Sequence, residues 1–167
     1  PLRSYPGHSG YVTELAHPSA DVFCSSSADG TVRVWDVRSS EAACTLNIKD
    51  EQRVIRSDFG DCVSTLSVDG DVMVCGGGVD LGIWHMRTRS LAQRLDLHAD
   101  KHHLSSAIAG EQIVCGGGSR TLEQWNLASD KTNGVETHAS AIFAILKVSG
   151  RSTMHRRVTF LYFEVSL

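Results

Sequence analysis

An all-β fold of repeated four-stranded antiparallel units is what the sequence predicts, and three observations carry that expectation. Asp29-Gly30 is a turn signal feeding the run Thr31-Val32-Arg33-Val34-Trp35-Asp36, in which Val32 and Val34 share one face and Thr31 and Arg33 the other. His8 precedes Trp35 by 27 residues, and His98 precedes Trp125 by the same 27. Cys75-Gly76-Gly77-Gly78 recurs 40 residues later as Cys115-Gly116-Gly117-Gly118, each ahead of a strand that ends in tryptophan. A period near 40 suits one four-stranded blade of a β-propeller. Trp35, Trp84 and Trp125 therefore mark successive blades, the first interval stretched to 49 by the polar segment 47–61.

The elements follow in order. In the first blade, residues 11–16 read as the inner strand, His17-Pro18-Ser19 as a turn, and 21–27, 31–36 and 42–48 as the remaining strands. Residues 50–61 carry Glu51, Arg53, Arg56, Asp58 and Asp61 and read as a long surface connection. The second blade is expected at 62–68, 71–75, 81–86 and 90–95, with Asp69-Gly70 as its first turn. The third is expected at 103–109, 112–115 and 121–126, with an outer strand around Val135. Residues 140–148, after His138, read as the inner strand of a fourth. The blade boundaries are then about 7–48, 62–97, 98–137 and 138–167, the last poorly defined. A tryptophan due near position 165 is absent, and a basic stretch, 151–157, leads into the apolar run 158–167.

Propellers close with ~4 to 8 blades, so three to four blades leave open ends and unpaired strand edges. The expectation is an incomplete propeller: the C-terminal half of a longer ring, or a fragment that needs a partner to complete it.

Composition excludes several classes. At 167 residues, 41% hydrophobic and 21% charged, the chain has ordinary globular composition. A net charge of -3 lacks the basic excess of a direct nucleic-acid binder. The apolar run 158–167 has ten residues and includes Glu164, too short to span a bilayer, and no membrane partner is expected. The first residue is Pro1, so an upstream region carrying a targeting segment is left open. Five cysteines include no C-x-x-C pair, and Cys24, Cys75 and Cys115 sit in apolar strand segments as small hydrophobes, which fits a reducing compartment, cytosol or nucleus.

Gly7-His8 at the head of the first unit, with Trp35-Asp36 at the end of its third strand, resembles the WD-repeat signature. The resemblance implies a buried hydrogen-bond chain of a histidine, a strand-two serine or threonine, the turn aspartate and the tryptophan. His8, Ser25 or Ser27, Asp29 and Trp35 occupy those places, with Ser25 taken as the serine of the set. The pattern decays downstream, where His85 and Asn126 follow the tryptophans and Gly78 stands six residues before Trp84.

The order of blocks is more specific still. Gly7-His8-Ser9-Gly10-Tyr11-Val12, Asp29 through Arg38, the Cys75-Gly76-Gly77-Gly78 run with Leu81-Gly82-Ile83-Trp84-His85-Met86-Arg87, and Glu123-Gln124-Trp125-Asn126-Leu127 resemble the WD-repeat subunits of the THO complex over residues 7–148. The resemblance implies a noncatalytic nuclear scaffold that binds other THO/TREX subunits. It also implies a seven-bladed propeller in the full subunit, a role in coupling transcription and splicing to mRNA export, and contact with RNA only indirectly, through the complex. A second resemblance, Trp35-Asp36-Val37-Arg38, is to the Trp-Asp-x-Arg box of cullin-4 ubiquitin-ligase substrate receptors. It implies an adaptor contact by Trp35, Asp36 and Arg38.

No catalytic, cofactor or metal set is expected. His8 and Asp29 are accounted for by the hydrogen-bond chain, with no nucleophile in fixed relation to them. His98, His102 and His103 with Asp96 and Asp100 lack a repeated ligand spacing and read as an inter-blade loop. The triple glycines lack the Lys-Ser/Thr and helix of a phosphate loop and read as tight strand exits or bulges. Arg151, His155, Arg156 and Arg157 form a short basic cluster that a solvated tail explains as well as a nucleic-acid patch.

Overall fold

In the computed structural model residues 3–55, 60–96, 102–138, 141–149 and 158–165 are described. The first sheet holds β1 (Val12–Ser19), β2 (Val22–Ser27), β3 (Thr31–Asp36) and β4 (Ala42–Asn47), in that order. The second holds β5 (Val63–Asp69), β6 (Val72–Gly77), β7 (Gly82–His85) and β8 (Ser90–Arg94). The third holds β9 (His103–Ala109), β10 (Gln112–Gly117), β11 (Thr121–Asn126) and β12 (Lys131–Glu136). A two-stranded sheet of β13 (Ala141–Ser149) and β14 (Val158–Val165) follows. All pairings are antiparallel between sequence neighbours, the arrangement of propeller blades. Among the described residues no helix is long and apolar enough to cross a membrane.

Strand registers superimpose the three full blades. Trp35, Trp84 and Trp125 pair with Phe23, Met73 and Ile113 respectively. Two residues on, Ser25, Cys75 and Cys115 pair with Leu15, Leu66 and Ser106 of the inner strands.

Because side chains alternate across a strand, each blade has two apolar faces, and each seam is built from opposite faces of neighbours. In the first seam Cys24, Val32, Leu46 and Ile48 of the first blade pack on Val63, Leu66, Met73, Cys75 and Trp84 of the second. In the second, Val74, Leu81 and Ile83 meet Ile108, Ile113, Cys115 and Trp125. In the third, Ala107 and Val114 meet Ile142 and Ile145 of β13.

Hydroxyls stitch the same seams. Thr13 Oγ1 donates to the Val63 carbonyl and Ser64 Oγ to the His103 carbonyl, each at 2.5 Å. Glu14 Oε2 accepts from Leu66 N at 2.6 Å, and Ser105 Oγ accepts from Ile145 N at 2.9 Å. A buried backbone group at each inner strand is thereby satisfied by the blade before it.

The connection after β4 departs from the expected surface loop. A short 3-10 turn, Ile48–Asp50, drops Ile48 into the first seam, and Val54 is buried there too. The Val54 carbonyl also accepts from Asp80 N at 2.8 Å. Two apolar residues in a charged run anchor it, while Arg56 and Asp58 lie outside the described residues.

Candidate functional site

The first blade carries the one hydrogen-bond chain that the sequence singled out. Asp29 sits in the turn between β2 and β3, Ser25 on β2, Trp35 on β3, and His8 on the segment leading into β1. His8 Nδ1 lies 2.9 Å from Asp29 Oδ2, and a carboxylate only accepts, so Nδ1 carries the proton. His8 Nε2 is then the acceptor for Ser25 Oγ at 2.8 Å, and Ser25 Oγ in turn accepts from Trp35 Nε1 at 2.8 Å. Each link uses one proton and one lone pair.

Asp29 is fixed by more than His8. Ser9 N donates to Oδ2 at 2.9 Å, and Thr31 donates to Oδ1 from its backbone at 3.0 Å and its hydroxyl at 2.6 Å. Burial works to raise the Asp29 carboxyl, but the hydrogen bonds from Thr31, His8 and Ser9 outweigh it and hold it below the usual carboxylate range. Thr31 is thus a member that strand alternation alone did not single out. Ser27 Oγ lies apart from the chain and accepts from Asp29 N at 3.1 Å.

Ser25, His8 and Asp29 are wired in the order of a serine-hydrolase triad, yet the surroundings serve another purpose. Ser25 is buried, and its oxygen accepts the Trp35 indole N–H. The chain ties the entry segment to the blade. Tyr5 adds to this, with its ring edge-on to Phe23 at 4.9 Å and to Trp35 at 5.7 Å.

The Trp35–Arg38 box resolves into local contacts. Trp35 is buried, whereas Arg38 is exposed and folds back on Asp36, with Nε 2.9 Å from Oδ1 and Nη2 2.6 Å from Oδ2. The Arg38 hydrogen bonds pull the Asp36 carboxyl down to about 2.

The later blades keep the tryptophan and change its partner. Cys75 and Cys115 stand where Ser25 stands, and burial pushes both thiols well above their ordinary range. The Trp84 indole N–H is buried with no hydrogen-bond partner, close against Gly82. Gly77 and Gly117 show why glycine follows the cysteine: a Cβ would lie 1.9 Å from Ser64 Oγ and from the His102 carbonyl oxygen respectively. These are places of close backbone approach, with the register shift of β10 falling between Gly116 and Gly117.

Among the described residues no group of three or more His, Cys, Asp or Glu is placed to hold a metal ion. His103 is buried in β9, and His98 and Asp100 lie outside the described residues, as does the basic cluster 151–157. An open groove of about 300 Å³ runs along the outer edge of the first seam, lined by Leu46, Asp50, Glu51, Trp84 and Arg89 among others.

Residues 1–36 match the family model described as WD domain, G-beta repeat. THO complex subunit 6 of Homo sapiens is 31% identical over 130 residues, which are 77% of this chain and 37% of that protein. THO complex subunit 6 of Arabidopsis thaliana is 25% identical over 146 residues, 85% of this chain and again 37% of that protein. The chain thus spans little more than a third of the length of these relatives. Among solved structures, that of the RRP9 WD40 repeats superimposes with a TM-score of 0.72 at 19% identity, covering 86% of this chain and 44% of that one. The chain is a series of WD-repeat propeller blades, similar along 77% of its length to THO complex subunit 6.

Proposed function

We propose that this chain is part of a noncatalytic scaffold subunit of a THO-type complex. On this reading it works in the nucleus, holds other THO/TREX subunits and serves the coupling of transcription and splicing to mRNA export. RNA is met through the complex, in keeping with the net charge of -3.

The observation that carries the reading is the 31% identity over 130 residues, which runs through successive blades instead of resting on one repeat. The geometry supports a scaffold. Among the described residues, the triad-like cluster of His8, Ser25 and Asp29 is engaged in holding Trp35, and Thr13 and Ser64 bond across the seams. A ligase-adaptor role rests on the Trp35–Arg38 box alone, in which Arg38 is exposed and paired with Asp36.

Affinity purification of the tagged full-length parent from nuclear extract tests the proposal. Other THO subunits are the expected co-purifying proteins; their absence from a folded bait overturns it.

A further inference from the structure

Asn133-Gly134 is the one Asn-Gly pair of the sequence. As a dipeptide it is a turn former, yet here it lies inside β12, with neither residue at positive φ. β12 is the outer strand of the third blade, bonded to β11 on one side only. Thr137 N donates to the Arg120 carbonyl at 2.7 Å, and antiparallel pairs alternate between bonded and non-bonded along a ladder. Counting back, Val135 and Asn133 face Leu122 and Gln124 in bonded pairs, and Gly134 faces Glu123 in a non-bonded one. The Gly134 N–H therefore points away from β11, to the open edge, where it donates to the Asn133 side-chain oxygen Oδ1 at 2.9 Å.

That bond sets the Gly134 nitrogen beside Asn133 Cγ, the carbon that carries Oδ1. The backbone around Gly134 is uncrowded: a Cβ there would meet nothing closer than 3.6 Å, unlike the one at Gly117. Both residues are exposed. The outer strand of a blade lies at the rim, away from the neighbours that close a ring, so this edge is open in a complete propeller as well. Cys44 holds the place of Asn133 in the first blade, each paired with the residue before the tryptophan, and it stays partly exposed with a full blade after it.

We propose that Asn133 is a site of spontaneous deamidation at which the Gly134 nitrogen is the nucleophile. Hydroxide removes the Gly134 N–H proton and the nitrogen attacks Asn133 Cγ. The N–Cγ bond forms, the Cγ–Nδ2 bond breaks, and Nδ2 takes a proton from water and leaves as ammonia. A further water opens the cyclic imide. Attack at Cγ breaks the new bond and leaves aspartate; attack at the Asn133 backbone carbonyl carbon breaks the original peptide bond and leaves isoaspartate, whose main chain runs through Cγ. Water is the co-reactant throughout. Isoaspartate lengthens the main chain by one carbon inside β12, so Gly134, Val135 and Glu136 lose their register with Glu123, Leu122 and Thr121. Nothing in this chemistry rests on the THO reading.

Peptide mapping of the full-length parent, held folded at mildly alkaline pH in water enriched in heavy oxygen, is the test. The expected product is a carboxyl at position 133 that carries heavy oxygen, part of it labelled by an isoaspartyl methyltransferase, while Asn47 and Asn126 keep their amides. Reached through global unfolding alone, conversion would run at least about a thousandfold slower than in the guanidinium-unfolded chain. The folded parent is expected to stay well within that factor. Gly134→Ala has room for its methyl group and is expected to stay folded and convert several-fold more slowly; Asn133→Gln removes the label. Suppression by about a thousandfold or more in the folded parent overturns the proposal. So does equal conversion at Asn47 and Asn126, or a Gly134→Ala rate that matches the parent's.

Discussion

Ser25 and Cys75 hold the same place in successive blades, each two residues beyond the partner of its blade's tryptophan, but only Ser25 gives the indole an oxygen. Ser25 also has His8 to take its proton. Removing Ser25 strands two buried groups at once, so Ser25→Ala is expected to cost ~2–4 kcal/mol of unfolding free energy. Ser25→Cys, which copies the second blade, is expected to cost less. Denaturant titration of both variants checks the order.

Gly117→Ala is expected to be more damaging than Gly70→Ala. A Cβ at Gly117 meets the His102 carbonyl oxygen at 1.9 Å, and a backbone atom cannot swing aside. At Gly70, with φ +60, nothing lies within 4 Å and the cost is the left-handed backbone alone, about 1 kcal/mol. Thermal melts of the two variants separate these causes.

Asp29 and Glu14 give opposite pH dependences. The Asp29 carboxyl is held below its unfolded value, so its contribution is complete above about pH 4 and is lost as pH falls toward the folded value. Burial pushes Glu14 up to about 7 against weaker hydrogen bonds from Leu66 and Thr65. Its contribution is therefore present below the unfolded value and lost as pH rises through 7. Glu14→Gln keeps the acceptor for Leu66 N and is expected to gain on the parent by ~1–2 kcal/mol between pH 5 and 8, a range discounted for partial exposure. Asp29→Asn is expected to flatten the acid limb. Denaturation midpoints across pH 3 to 8 report both.

Thiol labelling is expected to distinguish two classes of cysteine. Cys24, Cys75 and Cys115 are buried, and burial, with Cys44 nearby, raises the Cys24 thiol to about 11. Cys44 and Cys62 are partly buried and are expected to react first, the other three only after unfolding.

The blade series was legible because tryptophan, aspartate-glycine turns and period-two alternation are local signals, and the sheets need nothing else to set their phase. The role of Cys75 and Cys115 was also within reach: Cys115 stands ten residues before Trp125 as Ser25 stands ten before Trp35. The shift to nine at Cys75, where the span between paired residues is one shorter (Cys75 pairs with Gly82, Ser25 with Arg33), obscures it. Val54 was missed because charged neighbours dominate the composition of 50–61, while burial there depends on the seam with the second blade; Ile48, expected to end the outer strand, instead opens the 3-10 turn that enters the same seam. The seam bond of Glu14 to Leu66 spans 52 residues and leaves no trace in spacing.

The central claim is tested most directly by comparing the THO subunits recovered from nuclear extract with the full-length parent and with its Arg38→Ala variant. Because Arg38 is engaged by Asp36 on its own blade, equal recovery of THO subunits with both baits is predicted. Recovery of no THO subunit with either, or recovery of a cullin-ligase adaptor that is lost on Arg38→Ala, contradicts the account.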